Sequence, residues 1–237
     1  MLNDISLFDA ASWYLVFLFS TTLHEASHAL AALKLGDDTA YRGGQVTLDP
    51  TPHIKREPLG MVIVPIVSFL MGGWMIGWAS APYDPDWANR YPKRAAWMAV
   101  AGPAANFLLM LTAALLIHAG MLAGWFSAPD RVSSMHLVDW NGDGLPHLAA
   151  ELLGICFSLN LLLFVFNLFP LPPLDGASIP LLLLPPATAE KYADLMRSPG
   201  VRMVGLIAAW QIFGKFYPPL HHLAISLLYP SQHYVSL

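Results

Sequence analysis

Four apolar stretches of this chain, 10–35, 94–126, 147–169 and 201–229, are each long enough to cross a bilayer as a helix, which takes about 20 residues. Composition points the same way. Apolar residues make up 56% of the 237 and charged residues only 12%, about half the roughly 25% usual for soluble domains. So few charges cannot cover the surface of a water-soluble chain of this size. The sequence therefore predicts an all-α polytopic membrane protein, a helical bundle, and argues against a disordered chain, a soluble α/β enzyme or a secreted disulfide scaffold. A net charge of −4 gives no electrostatic reason to expect nucleic acid, and a single cysteine, Cys156, precludes an internal disulfide or a Cys-based metal cluster.

A fifth apolar stretch, 59–81, carries Pro65, Gly72-Gly73 and Gly77 and reads either as a span or as a re-entrant or β-like segment. The basic residues decide between them. Lys34, Arg42, Lys55, Arg56, Arg90, Lys93 and Arg94 fall between the first long span and the start of the second; Arg131 alone lies in the next loop; Lys191, Arg197 and Arg202 follow the third. If 59–81 returns to the side it came from, the bias is clean, with the N-terminus outside and both basic regions in the cytoplasm. The stretch 201–229 is interrupted by Gly214, Lys215 and Pro218-Pro219, so it is expected as a kinked span or a hairpin. Residues 187–198 suit a short surface helix. Asp4 and Asp9 precede the first apolar run with no basic residue, which is not the pattern of a cleavable signal peptide. With no soluble segment above about 30 residues, one membrane-embedded domain is expected over 1–237. Its core covers roughly 10–180, and 187–237 forms a C-terminal helical extension.

Inside the first stretch stands His24-Glu25-Ala26-Ser27-His28. Histidines at i and i+4 share a helical face and can share a tetrahedral metal, with the glutamate beside them to polarise a water. Ionisable groups in a span are costly and mark function by default. The plain alternative is a polar stripe hydrogen-bonded between helices. A metal site also needs a third protein ligand. Asp175 is the best candidate, since Pro170, Pro172 and Pro173 end the third span and Gly176 permits a close backbone approach. An incidental aspartate in a helix-terminating loop explains it equally well. The pairing has a topological condition. His28 lies about 10 Å of helix rise before the end of its span, and Asp175 follows the end of the third, so the two helices must be parallel. One crossing, 94–126, must separate them, and 59–81 must add none.

With these residues in place, the chain resembles the site-2 protease family of intramembrane zinc metalloproteases (peptidase family M50). The resemblance rests on His24-Glu25-Ala26-Ser27-His28, Gly102-Pro103-Ala104-Ala105-Asn106, and Asn167 through Gly176, and spans roughly residues 15 to 180. Thr47-Leu48-Asp49-Pro50, His53-Ile54, Pro58-Leu59-Gly60 and Gly77-Trp78-Ala79 look like its compact bacterial branch without a PDZ domain. Two departures, Lys55-Arg56-Glu57 where a lone Asp commonly follows His-Ile and Ser80 where Lys often stands, bear on substrate preference. The resemblance implies that His24, His28 and Asp175 hold Zn²⁺, that Glu25 is general base and acid, and that Asn167, with Asn106 nearby, binds an unwound substrate backbone. It implies a transmembrane protein or peptide as substrate, cleaved within or near its helix, in a bacterial cytoplasmic membrane with the site towards the cytoplasm. The alternative is a non-proteolytic metal-binding transporter or scaffold; transport predicts a polar route through the other leaflet and an inverted repeat, and neither is visible.

Other residues carry less. His53 suits an interface more than a gate, His221-His222 lack a nearby carboxylate for a second metal site, and Glu151 reads as interfacial. Trp74, Trp78, Trp87 and Trp97 suit a membrane-interface belt.

Overall fold

The computed structural model describes residues 6–133, 136–232 and 234. The first helix, α1 (Leu7–Leu35), opens on a reciprocal cap: Ser6 Oγ accepts from the Asp9 N–H at 3.0 Å, and Asp9 Oδ2 accepts from the Ser6 N–H at 2.9 Å. It ends at Gly36 in the left-handed region. Short helices α2 (Thr39–Arg42) and α3 (Thr51–Arg56) follow, then a π-helical turn, Leu59–Ile63, leading into α4 (Val64–Gly72). After α5 (Pro85–Arg90) comes the long α6 (Pro92–Leu122). The strands β1 (Phe126–Ser127) and β2 (Asp139–Trp140) pair antiparallel before α7 (Leu145–Asn167). A 3-10 segment, Asp175–Leu182, then leads to α8 (Pro186–Arg197) and α9 (Pro199–Leu228).

The core is a three-helix unit in which α6 packs on both α1 and α7, and α1 packs on α7. Side-chain pairs give the directions. His24 meets Asn106 and His28 meets Met98, so α1 and α6 are antiparallel. Trp13 and Phe17 pack with Ile155 and Leu159, and Asn160 bonds Ser20, so α1 and α7 are parallel. The condition for bringing Asp175 to the histidines is therefore met. Buried Ala29 and Ala32 on α1 and Gly102 and Ala105 on α6 are small residues of the kind that let helices approach closely.

The 59–81 stretch folds into a hairpin of unlike limbs, not a strand. The first limb is helical: Pro65 occupies the first turn of α4, where its missing N–H is not needed. The chain turns at Gly73 (φ 74°) and returns extended, with no ladder. Ser68 Oγ accepts from the Ile76 N–H at 2.9 Å, and Gly60 O accepts from the Trp78 N–H at 3.1 Å, so the two ends lie side by side. The expected break in 201–229 does not occur. Pro218 and Pro219 lie inside one continuous helix, α9, because consecutive prolines free only the carbonyls of Gly214 and Lys215. The hairpin alternative is thereby overturned. The surface helix expected at 187–198 is α8.

Among the described residues, α6 and α7 are the two helices long and apolar enough to cross a membrane. At 29 and 30 residues α1 and α9 have the length, but polar residues such as His24, Glu25, His28 and Lys215 interrupt them. The last helix meets α7 through an aromatic seam in which Phe166 and Phe169 contact Phe213, the first at a ring separation of 5.0 Å.

Candidate metal centre

Towards the C-terminal ends of α1 and α7 the three-helix core carries a polar layer: Ser20, His24, Glu25, His28, Asn106 and Asn160 are all buried. The spacing on α1 makes the first contribution, since Ser20, His24 and His28 recur every four residues on one face. Facing them on α6 is Gly102. A methyl group there would collide with the Nε2 atoms of both His24 and His28, so this position must be glycine for the imidazoles to lie where they do. Asp175 arrives from below. The Leu168–Leu174 connection doubles back tightly, and a side chain at Gly176 would overlap the carbonyls of Leu168 and Phe169.

These elements bring three donor atoms together. Nε2 of His24 lies 3.0 Å from Nε2 of His28, and Oδ2 of Asp175 lies 3.2 Å from the first and 3.3 Å from the second. Nδ1 of His28 lies 2.8 Å from the carbonyl of Met98, which can only accept, so Nδ1 carries a proton and, in the neutral imidazole, Nε2 presents a lone pair. Nδ1 of His24 is directed at Asn106 Oδ1 at 2.5 Å. With both Nδ1 atoms protonated, two neutral imidazoles and a carboxylate aim lone pairs at one point, and Asp175 Oδ2 is buried without a hydrogen-bond partner. Such convergence suits a bound cation. Ligands about 2.0–2.1 Å from a tetrahedral zinc are separated by about 3.3 Å, which matches the edges found. The donor set of two imidazoles and one carboxylate, with one position left for water, fits zinc.

Glu25 sits beside this triangle, buried at 5% exposure, with a carboxylate oxygen within 4.8 Å of the histidine nitrogens. Of the other predicted site residues, Asn167 is the last residue of α7 and is half-buried; among the described residues it forms no hydrogen bond with His24, Glu25, His28 or Asp175. Asn106 is fully buried, and its amide is spent inside the protein, accepting at His24 and donating to Asn160 at 2.8 Å. The sequence reading passed over Ser20 and Asn160. Both carried a signal: Ser20 precedes His24 by one helical step of four, and Asn160 is an amide deep within an apolar span.

His53 is fully buried, with Nε2 3.3 Å from Thr47 O. His222 Nε2 lies 2.8 Å from Tyr234 O, and His221 packs on the Tyr217 ring. The two departures from the family pattern turn out to be one contact: Ser80 Oγ donates to Glu57 Oε1 at 2.6 Å and accepts from Arg56 Nε at 3.0 Å.

The fold and this site define a helical membrane protein with a buried cluster of two histidines and one carboxylate that fits a metal ion. Residues 12–209 match the family model described as peptidase family M50, and the chain belongs to that family. It is 33% identical over 190 residues to "Putative zinc metalloprotease YwhC" of Bacillus subtilis (strain 168), an alignment covering 76% of this chain and 74% of that protein. It is also 28% identical over 207 residues to "Putative zinc metalloprotease Rip2" of Mycobacterium tuberculosis (strain ATCC 25618 / H37Rv), covering 87% of this chain and 70% of that one. No solved structure matches the chain. The protein is thus a zinc metalloprotease of the membrane.

Proposed function

We propose that the protein is an intramembrane endopeptidase of the site-2 type, hydrolysing a peptide bond within or near a transmembrane helix of another membrane protein. The observation that carries this reading is the convergence of His24, His28 and Asp175 beside Glu25, deep within apolar helices. His24, His28 and Asp175 would hold a zinc ion, which would acidify a bound water to a pKa of about 7 and polarise the scissile carbonyl. Glu25 takes a proton from the attacking water as its oxygen bonds to the carbonyl carbon. It then delivers that proton to the amide nitrogen as the C–N bond breaks, and the water's second proton passes from the new carboxyl group to the amine, leaving a carboxylate and an ammonium group.

A helical substrate has its carbonyls occupied by i−4 hydrogen bonds, so it must unwind before attack. The extended return limb of the 59–81 hairpin presents backbone groups that suit pairing with such a segment, and Asn167 has the donor and acceptor to hold its main chain. In this reading the hairpin is re-entrant, α1, α6, α7 and α9 cross the membrane, and the basic loops place the metal centre towards the cytoplasm. The packed cluster of Trp13, Val16, Phe17, Ile155 and Leu159 lies between the centre and the other face, which speaks against a transport route.

The test is cleavage of a single-span peptide by purified protein in vesicles. Glu25→Gln is expected to lower the rate by at least roughly 10²–10⁴-fold, the usual worth of a general base, with zinc content unchanged. Cleavage surviving in this variant, or parallel loss of zinc, contradicts the assignment.

A further inference from the structure

We infer that Asn160 and Ser20, through Asn106, act as positioning residues that fix the protonation side of His24 and so pre-form the metal site before any ion arrives. This rests on the metal-binding half of the proposed function, not on the nature of the substrate.

The carbonyl of Cys156, on α7, can only accept, and the Asn160 side chain approaches it at 2.8 Å. The approaching atom must therefore be the amide nitrogen, Nδ2, and the same atom reaches Ser20 Oγ at 2.9 Å. With Nδ2 turned that way, Oδ1 of Asn160 faces Asn106, 2.8 Å from it. Only a donor suits that position, so Asn106 presents its own Nδ2 there and its Oδ1 to His24. Facing an acceptor, Nδ1 of His24 must carry the proton. Nε2 is left as a lone pair aimed at His28 Nε2 and Asp175 Oδ2. Each step follows from the one before, and the chain runs across all three core helices.

His28 needs no such relay because Met98 O fixes it directly. His24 differs: its neighbour is an amide, which presents a donor or an acceptor according to which way it is turned. An unanchored Asn106 could turn its nitrogen towards His24, accept the other tautomer, and leave a proton on Nε2 where the metal must bind. Asn160, held at one end by a carbonyl and by the Ser20 hydroxyl, removes that freedom. All three side chains are at or below 1% exposure, so water does not substitute for any of them. Outer-shell partners of a ligating histidine typically change metal affinity 10–100-fold.

The experiment measures zinc affinity of the whole protein by chelator competition, with the thermal midpoint of the metal-free form as a control. Asn160→Leu is expected to weaken zinc binding about 10–100-fold. Adding Asn106→Asp to it is expected to recover most of that loss, because both carboxylate oxygens accept and no anchoring is needed to keep the His24 proton on Nδ1. A residue that merely fills space predicts no such rescue. Zinc affinity of Asn160→Leu within about threefold of wild type, or no recovery in the double variant, overturns the inference. Should Asn160→Leu not fold, imidazole ¹⁵N shifts of the metal-free wild type decide it: a protonated Nδ1 on His24 is expected, and a protonated Nε2 overturns the proposal. If wild type itself binds no zinc, the proposed function fails first, and separately.

Discussion

Two histidine–carboxylate clusters occupy opposite ends of the α1–α7 pair, and they behave differently. At one end His24, His28 and Asp175 place their donor atoms 3.0–3.3 Å apart. At the other, Asp9, His136, His147 and Glu151 line a cavity of about 90 Å³ together with Trp140. His147 and Glu151 have the same i,i+4 spacing as the zinc histidines, yet their nearest atoms are 3.9 Å apart and His147 is 41% exposed. The ring of His147 is stacked on Trp140, and His136 is paired with Asp139. What separates the clusters is the support behind the ligands, not the residue types. The zinc histidines are each held at Nδ1 by an acceptor, whereas the outer ones are spent on other contacts.

That contrast is open to direct attack. The largest effect is expected from His28→Ala or Asp175→Ala, which should weaken zinc binding by more than the roughly 100-fold reach of an outer-shell change. His147→Ala should leave one tightly bound zinc per chain; metal analysis of purified protein reads both, and loss of zinc in the outer variant breaks the comparison. Gly102→Ala comes next. Its methyl group occupies the space of the two Nε2 atoms, so zinc content should fall while overpacking costs about 1–3 kcal/mol in the metal-free protein, measured by denaturation.

Glu151 offers a smaller effect of opposite sign. Its Oε1 is buried with no hydrogen-bond partner among the described residues, so Glu151→Leu should raise stability by about 1 kcal/mol without altering zinc or cleavage. A destabilised variant would mean that the outer cavity holds a partner for this oxygen. The smallest effect concerns Asp37, an anchored carboxylate outside the long helices. Burial pushes its pKa up, but hydrogen bonds from the Thr39 hydroxyl and from the Asp84 and Thr39 N–H groups outweigh this and hold it below the ordinary value. A carboxylate depressed in the folded state stabilises above its unfolded pKa, and the contribution is lost as pH falls through the folded one. Asp37→Asn should therefore flatten the decline of thermal stability below about pH 4. An unchanged acid limb counts against these hydrogen bonds.

Much of this was legible from residue order because it depends on local rules. The i,i+4 histidines share a face in any helix, bilayer-length apolar runs have few alternatives to helices, and the prolines before Asp175 had to end α7. Elsewhere the local rules were incomplete. Pro218-Pro219 leave 201–229 open between a kinked span and a hairpin, but adjacent prolines free only two carbonyls and α9 runs on through them. Nothing in the order of residues shows that Asn160 would take up the other end of the Asn106 amide.

The sequence by itself determined the class: a helical membrane protein carrying two histidines on one helical face with a glutamate between them. Only the tertiary structure decided that Asp175 closes the triangle, that Gly102 makes room for it, and that Ser20 and Asn160 stand behind His24. The reason is physical. Periodicity fixes which residues share a face of one helix, but the direction of a lone pair is set by hydrogen-bond partners on other helices, and those meet only when α1, α6 and α7 pack.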